Sequence, residues 1–284
     1  MRVRHFGVAA AALAVATMGI SGCAAKKDSS VVDKAKNDKK LTIGVKFDQP
    51  GLGQKQPDGS VKGFDVDVAT YIAKKLGVVE KNITWKEARS ANRDSFVQNG
   101  TVDMVIATYS ITADRQKKVT FGGPYYVAHQ DVMVRGNDNS IKSLADIKGK
   151  KICAVQGSVS WKNITDGTNL QKQKVDAKTV PANGYDDCIT KLKGGSVDVV
   201  STDNAILAGF AAREGSSVKL VNVPFTDEKY GVGIKKGDTK SCEAINKAIA
   251  SMYQDGSAKQ YLQAEFGQTS LKFDTTLPTP VGCS

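Results

Sequence analysis

One arginine, Arg115, follows an apolar run and two hydroxyl residues, and these residue types in this order could bind a carboxylate. In VIATYSITADR, residues 105–115, Thr108 and Ser110 come where a predicted strand ends, and Arg115 follows one short turn later. The carboxyl ends of strands in an open α/β sheet face the crevice where ligands bind. A guanidinium offers a planar pair of N–H donors that matches a carboxylate. The alternative is an ion pair between Arg115 and Asp114 or another surface acid.

The predicted secondary structure around these residues alternates between strand and helix. A strand over residues 41–45, LTIGV, precedes the helical stretch GFDVDVATYIAKKLG, and ITW, ANRDSFVQNG and VDMVIAT then read as strand, short helix and strand. The second half repeats this order. The stretches NGTVDMVIAT and GGSVDVVSTD both place a glycine helix stop before V-D-x-V. We therefore predict an α/β fold with two similar lobes.

Two extended segments are predicted to connect the lobes. YYVAHQDVMVRGND carries the chain out of the first lobe, with His129 as a hinge residue, and a second crossing falls near residues 221–238. A two-strand hinge lets the lobes close a cleft on a small molecule. The predicted division is first lobe, second lobe and return to the first lobe, over residues 41–133, 134–226 and 227–284.

The amino terminus reads as a targeting segment. Its first residues, MRVRHFGVAAAALAVATMGISGC, combine arginines, an apolar run and small residues, which is typical of a secretory signal over residues 1–22. The ending ISGC resembles a lipobox, in which Cys23 carries the lipid and becomes the new amino terminus; the alternative is an ordinary signal with a chance cysteine. Residues 23–40 are polar and lack core periodicity, which predicts a mobile tether. We expect a monomer, lipid-anchored on the extracytoplasmic face of the cell membrane.

The net charge of +11 is spread along the chain. No basic stripe interleaved with aromatic residues is present, so nucleic acid is not an expected partner. Lysines of the predicted tether could instead touch anionic lipid headgroups.

The cysteines predict disulfides rather than a metal site. If Cys23 carries lipid, four others remain in an oxidising compartment, and three pairings could join them. No CxxC is present and the chain has 2 histidines, so no metal site is predicted. A bridge across the cleft would lock the hinge. We therefore predict the pairs Cys153–Cys188 and Cys242–Cys283, each within one lobe.

The segment VDMVIATYSITADRQKKVTFGGPYY is similar to the signature of the polar amino acid-binding proteins of ABC importers. These are the family 3 extracellular solute-binding proteins, which have the type II periplasmic-binding fold. GFDVDVATYIAKKLG, VQGSVS and GGSVDVVSTD also match, and the resemblance covers roughly residues 40–270. It implies capture of an amino acid by lobe closure and delivery to a membrane permease with its ATPase, with no cofactor.

The resemblance also implies a set of ligand contacts. Arg115 would hold the ligand α-carboxylate, with hydrogen bonds from Thr108 and Ser110 to the carboxylate or ammonium. In the QGSVS turn, Ser158 and Val159 would offer backbone N–H groups to the same carboxylate. An ordinary helix cap is the alternative use of that turn. The last residue carried over, Asp203, would take the α-ammonium, and it could also serve as a helix N-cap.

Specificity is predicted to come from cations that depart from the family pattern. Many relatives carry an acid and an aromatic ring after the first strand, where this chain has Lys46 and Gln49. Arg89 and Arg93 follow the next strand. Cations facing a pocket favour an acidic ligand side chain, so glutamate or aspartate is predicted. Glutamine or another neutral polar amino acid is the alternative, with Gln49 as a hydrogen-bond partner and the cations turned outward.

The alternatives to a transport protein are an enzyme and a sensory module. Some proteins of this fold are dehydratases, but the chain offers no Cys-His pair or Ser-His-Asp set, and Asp65, Asp67 and Asp103 read as caps or solvated residues. We therefore do not expect an enzyme. A sensory module that reports ligand to a receptor would read the same closed form as a permease.

Overall fold

The computed structural model describes residues 30–283, together with residues 1 and 3. Cys23 and nearly all of the predicted signal segment lie outside these described residues. Within them, none of the helices combines the length and the apolar character that a bilayer span requires.

The strands of the described chain fall into two main groups and one small sheet. Their bounds are β1 Leu41–Val45, β2 Asp48–Gln49, β3 Gly53–Lys55, β4 Val61–Lys62, β5 Ile83–Glu87, β6 Met104–Val105, β7 Val119–Ala128, β8 Gln130–Arg135, β9 Lys151–Val155, β10 Lys178–Ala182, β11 Val200–Asp203, β12 Val218–Leu220 and β13 Glu228–Lys235.

Helices lie between most of these strands and cover the sheets. Their bounds are α1 Val31–Asp38, α2 Phe64–Lys75, α3 Arg93–Gln98, α4 Ala113–Gln116, α5 Ser160–Thr165, α6 Tyr185–Lys193, α7 Asn204–Glu214, α8 Thr239–Gln254 and α9 Ser257–Phe266. Short 3₁₀ turns span Glu80–Asn82, Leu144–Ile147 and Gly215–Ser217.

The first lobe is built on a five-stranded sheet in the order β5-β1-β6-β13-β7. β1 is parallel to β5 and β6, and β13 is antiparallel to β6 and β7. Helix α2 buries Phe64, Val68 and Ile72, the face that its periodicity predicts. It begins after Gly63, whose φ of 127° suits glycine and whose missing Cβ would lie 2.4 Å from the backbone of Leu52. The small sheet β2-β3-β4 packs on this helix start.

The second lobe has two short sheets that meet in one layer. β8 lies between β11 and β12, and β9 pairs in parallel with β10. A parallel bridge between Ile152 and Val199 joins the two groups. Predicted strands and helices of both halves are therefore present, and the two-lobed α/β prediction is confirmed.

The chain crosses between the lobes at two neighbouring places. β7 belongs to the first sheet and β8 to the second lobe, so one crossing is at His129. The other precedes β13, where Asp227 lies 2.9 Å from the His129 Nδ1. His129 thus links the two crossing segments, and its role as a hinge residue stays a prediction. The predicted end of the first lobe after residue 133 falls inside β8.

The predicted mobile tether is wrong for the part that the structure describes. Helix α1 occupies Val31–Asp38 and buries Val31 and Ala35. The Val31 N–H donates to the Asp238 carboxylate over 2.9 Å, and this bond fixes the helix start on α8. Two apolar residues one turn apart suffice for this packing, which is too short a pattern to stand out in a lysine-rich stretch.

Both predicted disulfides are confirmed. Cys153–Cys188 joins β9 to α6 within the second lobe, and Cys242–Cys283 ties the carboxyl-terminal segment to α8. Neither bridge crosses between the lobes, so the hinge stays free to bend.

Candidate functional site

Arg115 extends from the first lobe to the second. It lies in the short helix α4, which Thr112 caps by accepting a hydrogen bond from the Arg115 backbone N–H. The guanidinium donates to the Ser110 carbonyl at 2.8 Å and to the Gly157 carbonyl of the second lobe at 3.2 Å. Asp114 pairs instead with Lys117, and no ion pair within residues 30–283 includes Arg115. The alternative of a surface ion pair is therefore not what the structure shows.

Thr108 turns the backbone at the end of β6. Its φ is 46°, a left-handed conformation that is strained for a β-branched residue, at about 1–3 kcal/mol. The Thr108 N–H donates to the Asp65 carboxylate at 2.8 Å, and the Arg93 guanidinium donates to the Ala107 and Thr108 carbonyls at 2.9 Å. Two buried charged groups thus hold a strained turn that faces the second lobe.

Asp65 is more than the helix cap that the sequence suggested. It is fully buried and also accepts a hydrogen bond from the Tyr125 hydroxyl at 2.7 Å. Burial raises its pKa to about 6, against the lowering effect of these hydrogen bonds. Its place directly after a helix start gives no local sign of this long-range contact.

Two of the predicted cations are buried near this turn. Lys46 donates to the Ser90 hydroxyl at 2.8 Å, and its burial, assisted by the positive charge of Arg93, lowers its pKa to about 7. Burial and the nearby Arg115 lower the pKa of Arg93 to about 10, and its buried Nε has no hydrogen-bond partner in the described structure. The first lobe therefore presents a concentrated positive charge.

Arg89 does not join this cluster. Its side chain is 49% exposed and pairs with Glu87 at 2.9 Å. The structure therefore corrects the prediction that Arg89 faces the pocket. Gln49, by contrast, is buried, accepts a hydrogen bond from the Thr108 hydroxyl at 3.1 Å, and leaves its Nε2 without a partner in the described structure.

The second lobe contributes hydroxyl groups. The Ser158 hydroxyl lies 2.8 Å from the Tyr185 hydroxyl, and Tyr185 also bonds Ser160 at 3.2 Å. The Ser158 N–H donates to the Val155 carbonyl at 3.1 Å, so the turn presents the Ser158 side chain and Val159 rather than the Ser158 N–H. Tyr185 was missed from the sequence, where it is only the first residue of a predicted helix.

Asp203 supplies the negative charge of the second lobe. One carboxylate oxygen accepts a hydrogen bond from the Tyr230 hydroxyl at 2.6 Å, and the other is buried with no partner in the described structure. Although Asp203 precedes helix α7, its side chain makes no cap hydrogen bond. Burial and the nearby Glu228 raise its pKa to about 7. An ammonium group would satisfy the free oxygen and restore the charged form.

These groups surround a small cavity of about 10 Å³ between the lobes, about the space of one water molecule, so a larger ligand enters only when the lobes part. It is lined by Ser90, Arg93, Thr108, Ser110, Arg115, Ser158, Val159, Ser160, Tyr185, Thr202, Asp203 and Ile206. Lys46 and Gln49 lie directly behind this wall, in contact with Ser90 and Thr108. A wider groove along the lobe boundary shares Arg115 and Ser158 with the cavity and opens to solvent. The arrangement can bind a small zwitterion between opposite charges.

Comparison with known proteins gives a family and several relatives. The profile of the bacterial extracellular solute-binding proteins, family 3, matches residues 41–268. The glutamate-binding protein GluB of Corynebacterium efficiens is 37% identical over 277 residues, which cover 94% of this chain and 92% of that protein. The glutamine-binding protein GlnH of Bacillus subtilis is 37% identical over 246 residues, 86% of this chain and 87% of its own length. An ancestral arginine-binding protein, solved with arginine, has a TM-score of 0.72 and 34% identity and covers 80% of this chain and 98% of its own.

Proposed function

Since the chain belongs to the bacterial extracellular solute-binding proteins of family 3, we propose that it captures glutamate or aspartate for an amino-acid ABC importer. One observation carries the choice of ligand. The first-lobe side of the cavity is lined by the buried guanidinium groups of Arg93 and Arg115, with the buried amine of Lys46 behind Ser90. The second-lobe side holds one carboxylate oxygen of Asp203 without a partner in the described structure.

The charges of an acidic amino acid complement this arrangement. Arg115 takes the α-carboxylate with its two-pronged donor, and Asp203 takes the α-ammonium. Arg93 then faces the side-chain carboxylate, and the charge of that carboxylate favours the protonated form of Lys46, which lies behind Ser90. Thr108, Ser110, Ser158 and Val159 complete the hydrogen bonds around the ligand backbone.

A basic amino acid fits less well. An arginine or lysine side chain would bring a further cation beside Lys46 and Arg93, and like charges in a buried site are strongly unfavourable. The relative GluB of Corynebacterium efficiens is named a glutamate-binding protein, which agrees with this charge argument.

Glutamine is the second candidate ligand. The Gln49 Nε2 is a buried donor without a partner, and an amide oxygen could accept from it. With a pKa near 7, Lys46 is also able to remain neutral beside an amide. The glutamine-binding relative gives this candidate further support.

Delivery follows from closure of the lobes around the ligand. The closed form is what a membrane permease, coupled to its ATPase, would recognise; a sensory receptor is the alternative partner. We further propose that the protein is a monomer held at the extracytoplasmic face of the membrane through lipid on Cys23. Binding without chemical change is proposed, and recovery of the amino acid unaltered after incubation tests it.

Isothermal titration of protein unfolded and refolded to remove carried ligand tests the ligand choice. The panel is glutamate, aspartate, glutamine, arginine and cystine, with Lys46→Met as the variant and Arg89→Ala as the matched control. Loss of a buried countercharge should weaken glutamate by about 2 kcal/mol, roughly thirtyfold, and glutamine by much less. Arg89→Ala should change nothing, because its side chain is exposed. Tightest binding of glutamine or of a basic amino acid would refute the acidic ligand.

A further inference from the structure

A carboxylate of the first lobe caps a helix of the second. Asp48, in strand β2, accepts a hydrogen bond from the backbone N–H of Tyr185 at 3.1 Å. Tyr185 is the first residue of α6, and the helix N-cap, Gly184, has no side chain to satisfy this N–H. The N-terminus of a nine-residue helix carries a partial positive charge that favours a carboxylate. The cap is therefore supplied by the opposite lobe.

The two lobes approach too closely here for larger residues. A Cβ on Gly184 would lie 2.3 Å from the Asp48 Oδ2. On the next helix, α7, a Cβ on Gly209 would lie 2.0 Å from the Pro50 carbonyl oxygen. The segment Asp48–Pro50 thus fits against two helices of the second lobe at glycine positions.

Other charges near the start of α6 are already paired. Asp186 accepts from Arg213 at 2.7 Å, and Asp187 pairs with Lys191 at 2.5 Å. These pairs reduce the repulsion that two acids in the first turn would exert on Asp48. The first N–H of the helix is left for the carboxylate from the first lobe.

The capped residue also forms the cavity wall. The Tyr185 hydroxyl bonds Ser158 and Ser160, and all three line the cavity between the lobes. Through Tyr185, the Asp48 contact therefore joins the two lobes and also holds part of the cavity wall in place.

We propose that Asp48 is a positioning residue that retains the ligand by capping α6 across the lobe boundary. The bond can form only when the lobes meet, so it stabilises the closed form and does not act on the open one. The inference rests on the proposed function, since it assumes an amino acid that leaves when the lobes open. Asp48 should therefore govern the rate of release and not the rate of capture.

Asp48→Ala tests this with Asp58→Ala as the matched control. Asp58 is an exposed acid between β3 and β4 whose carboxylate bonds Ser60 in its own loop. Stopped-flow binding of glutamate should show release about tenfold faster for Asp48→Ala and an unchanged association rate. Asp48→Asn keeps an acceptor for the Tyr185 N–H and should recover part of the effect. Small-angle scattering of the ligand-saturated protein should show a larger radius of gyration for Asp48→Ala.

Gly209→Ala provides an independent variant. Alanine is the better helix former, so α7 is not weakened, but its methyl group meets the Pro50 carbonyl when the lobes close. The melting temperature without ligand should hold or rise, while glutamate affinity falls about tenfold.

The outcomes separate this proposal from the proposed function. If wild type binds glutamate and Asp48→Ala releases it as slowly as Asp58→Ala, the proposed role of Asp48 is wrong. If wild type does not bind glutamate, the ligand assignment fails. The same release measurements, made with the amino acid of the panel that does bind, then test the role of Asp48. A slower association rate with unchanged release would also overturn it.

Discussion

The two faces of the cavity differ in charge and in rigidity. The first lobe presents Lys46, Arg93 and Arg115, each held by a bond to a neighbouring hydroxyl or carbonyl oxygen. The second lobe presents hydroxyls that bond one another, and one carboxylate, Asp203, with an unused oxygen. One face is a fixed set of cations, and the other is a set of groups that can rotate to suit a ligand.

The contrast indicates that the two lobes contribute differently to ligand selection and to closure. Lys46, Arg93 and Arg115 form no ion pair within the described residues, although the charges of Asp48 and Asp65 act on Lys46. A ligand that brings carboxylates to the first lobe therefore gains more than one that does not. The strained turn at Thr108, held by Asp65 and Arg93, fixes where those carboxylates must lie. The second lobe then adds contacts that every α-amino acid can satisfy. In the proposed binding mode, the first lobe contacts the charged side chain of the ligand and the second lobe contacts its α-ammonium group.

Removal of Arg115 should have the largest effect on this division. Arg115→Ala leaves the α-carboxylate without its main cation and also removes the bond to the Gly157 carbonyl across the lobes. We expect a loss of about 3–5 kcal/mol, more than a hundredfold in Kd, for glutamate and glutamine alike. Lys117→Ala, at the C-cap of the same helix and paired with Asp114 in solvent, is the control for titration calorimetry. A loss below tenfold would mean that Arg115 does not hold the carboxylate.

Asp203→Asn should have the next largest effect and sharpens the contrast between lobes. The amide can still accept from the Tyr230 hydroxyl, so the change is mainly the missing charge. Glutamate and glutamine should both weaken by about 2 kcal/mol, since both carry the ammonium. Asp176→Asn, which changes an exposed acid of the second lobe, is the control. If Asp203→Asn affected glutamate alone, the assignment of the ammonium to the second lobe would be incorrect.

The parts of this site that sequence could predict are those set by local position. Arg115 follows a strand of the first lobe and Asp203 ends a strand of the second, so the strand pattern predicts that each lies at the crevice edge of its own sheet. That the two lie on opposite sides of one cleft was implied by the family resemblance. The sequence could not show which of Arg89 and Arg93 faces the pocket, because both are arginines after the same strand. In the structure Arg89 bonds Glu87 two residues earlier, while Arg93 begins α3 and turns inward. Their separation depends on where a short helix starts, which is poorly determined by a few residues.

Long-range contacts could not be predicted from the sequence for a different reason. Asp65 bonds Thr108, and Tyr185 meets Asp48, across separations that no periodicity records. Both residues begin helices, where an acid or a tyrosine is ordinary. Their long-range hydrogen bonds, between Asp65 and Thr108 and between Tyr185 and Asp48, become visible only in the folded structure.

The smallest expected effect is a change in the number of protons that the protein binds when the ligand binds. It would report on Lys46 in the first lobe and on Asp203 in the second. Burial leaves Lys46 in the free protein with a pKa of about 7, below its usual 10.5, and raises the pKa of Asp203 to about 7 from 3.8. A ligand carboxylate should raise the first value, and a ligand ammonium should lower the second. Binding at pH 8 should therefore take up a proton at Lys46, and binding at pH 6 should release one at Asp203.

The sign of the pH dependence follows by linkage. Proton release makes glutamate affinity rise with pH near 6, and proton uptake makes it fall with pH near 8, by at most about 1.4 kcal/mol per pH unit on each side. Titrations in buffers of different ionisation enthalpy measure the proton count directly. Lys46→Met should abolish uptake at pH 8 and leave release at pH 6, whereas Asp203→Asn should do the reverse. Persistence of uptake in Lys46→Met would place the titrating cation elsewhere and remove the main physical reason for an acidic ligand.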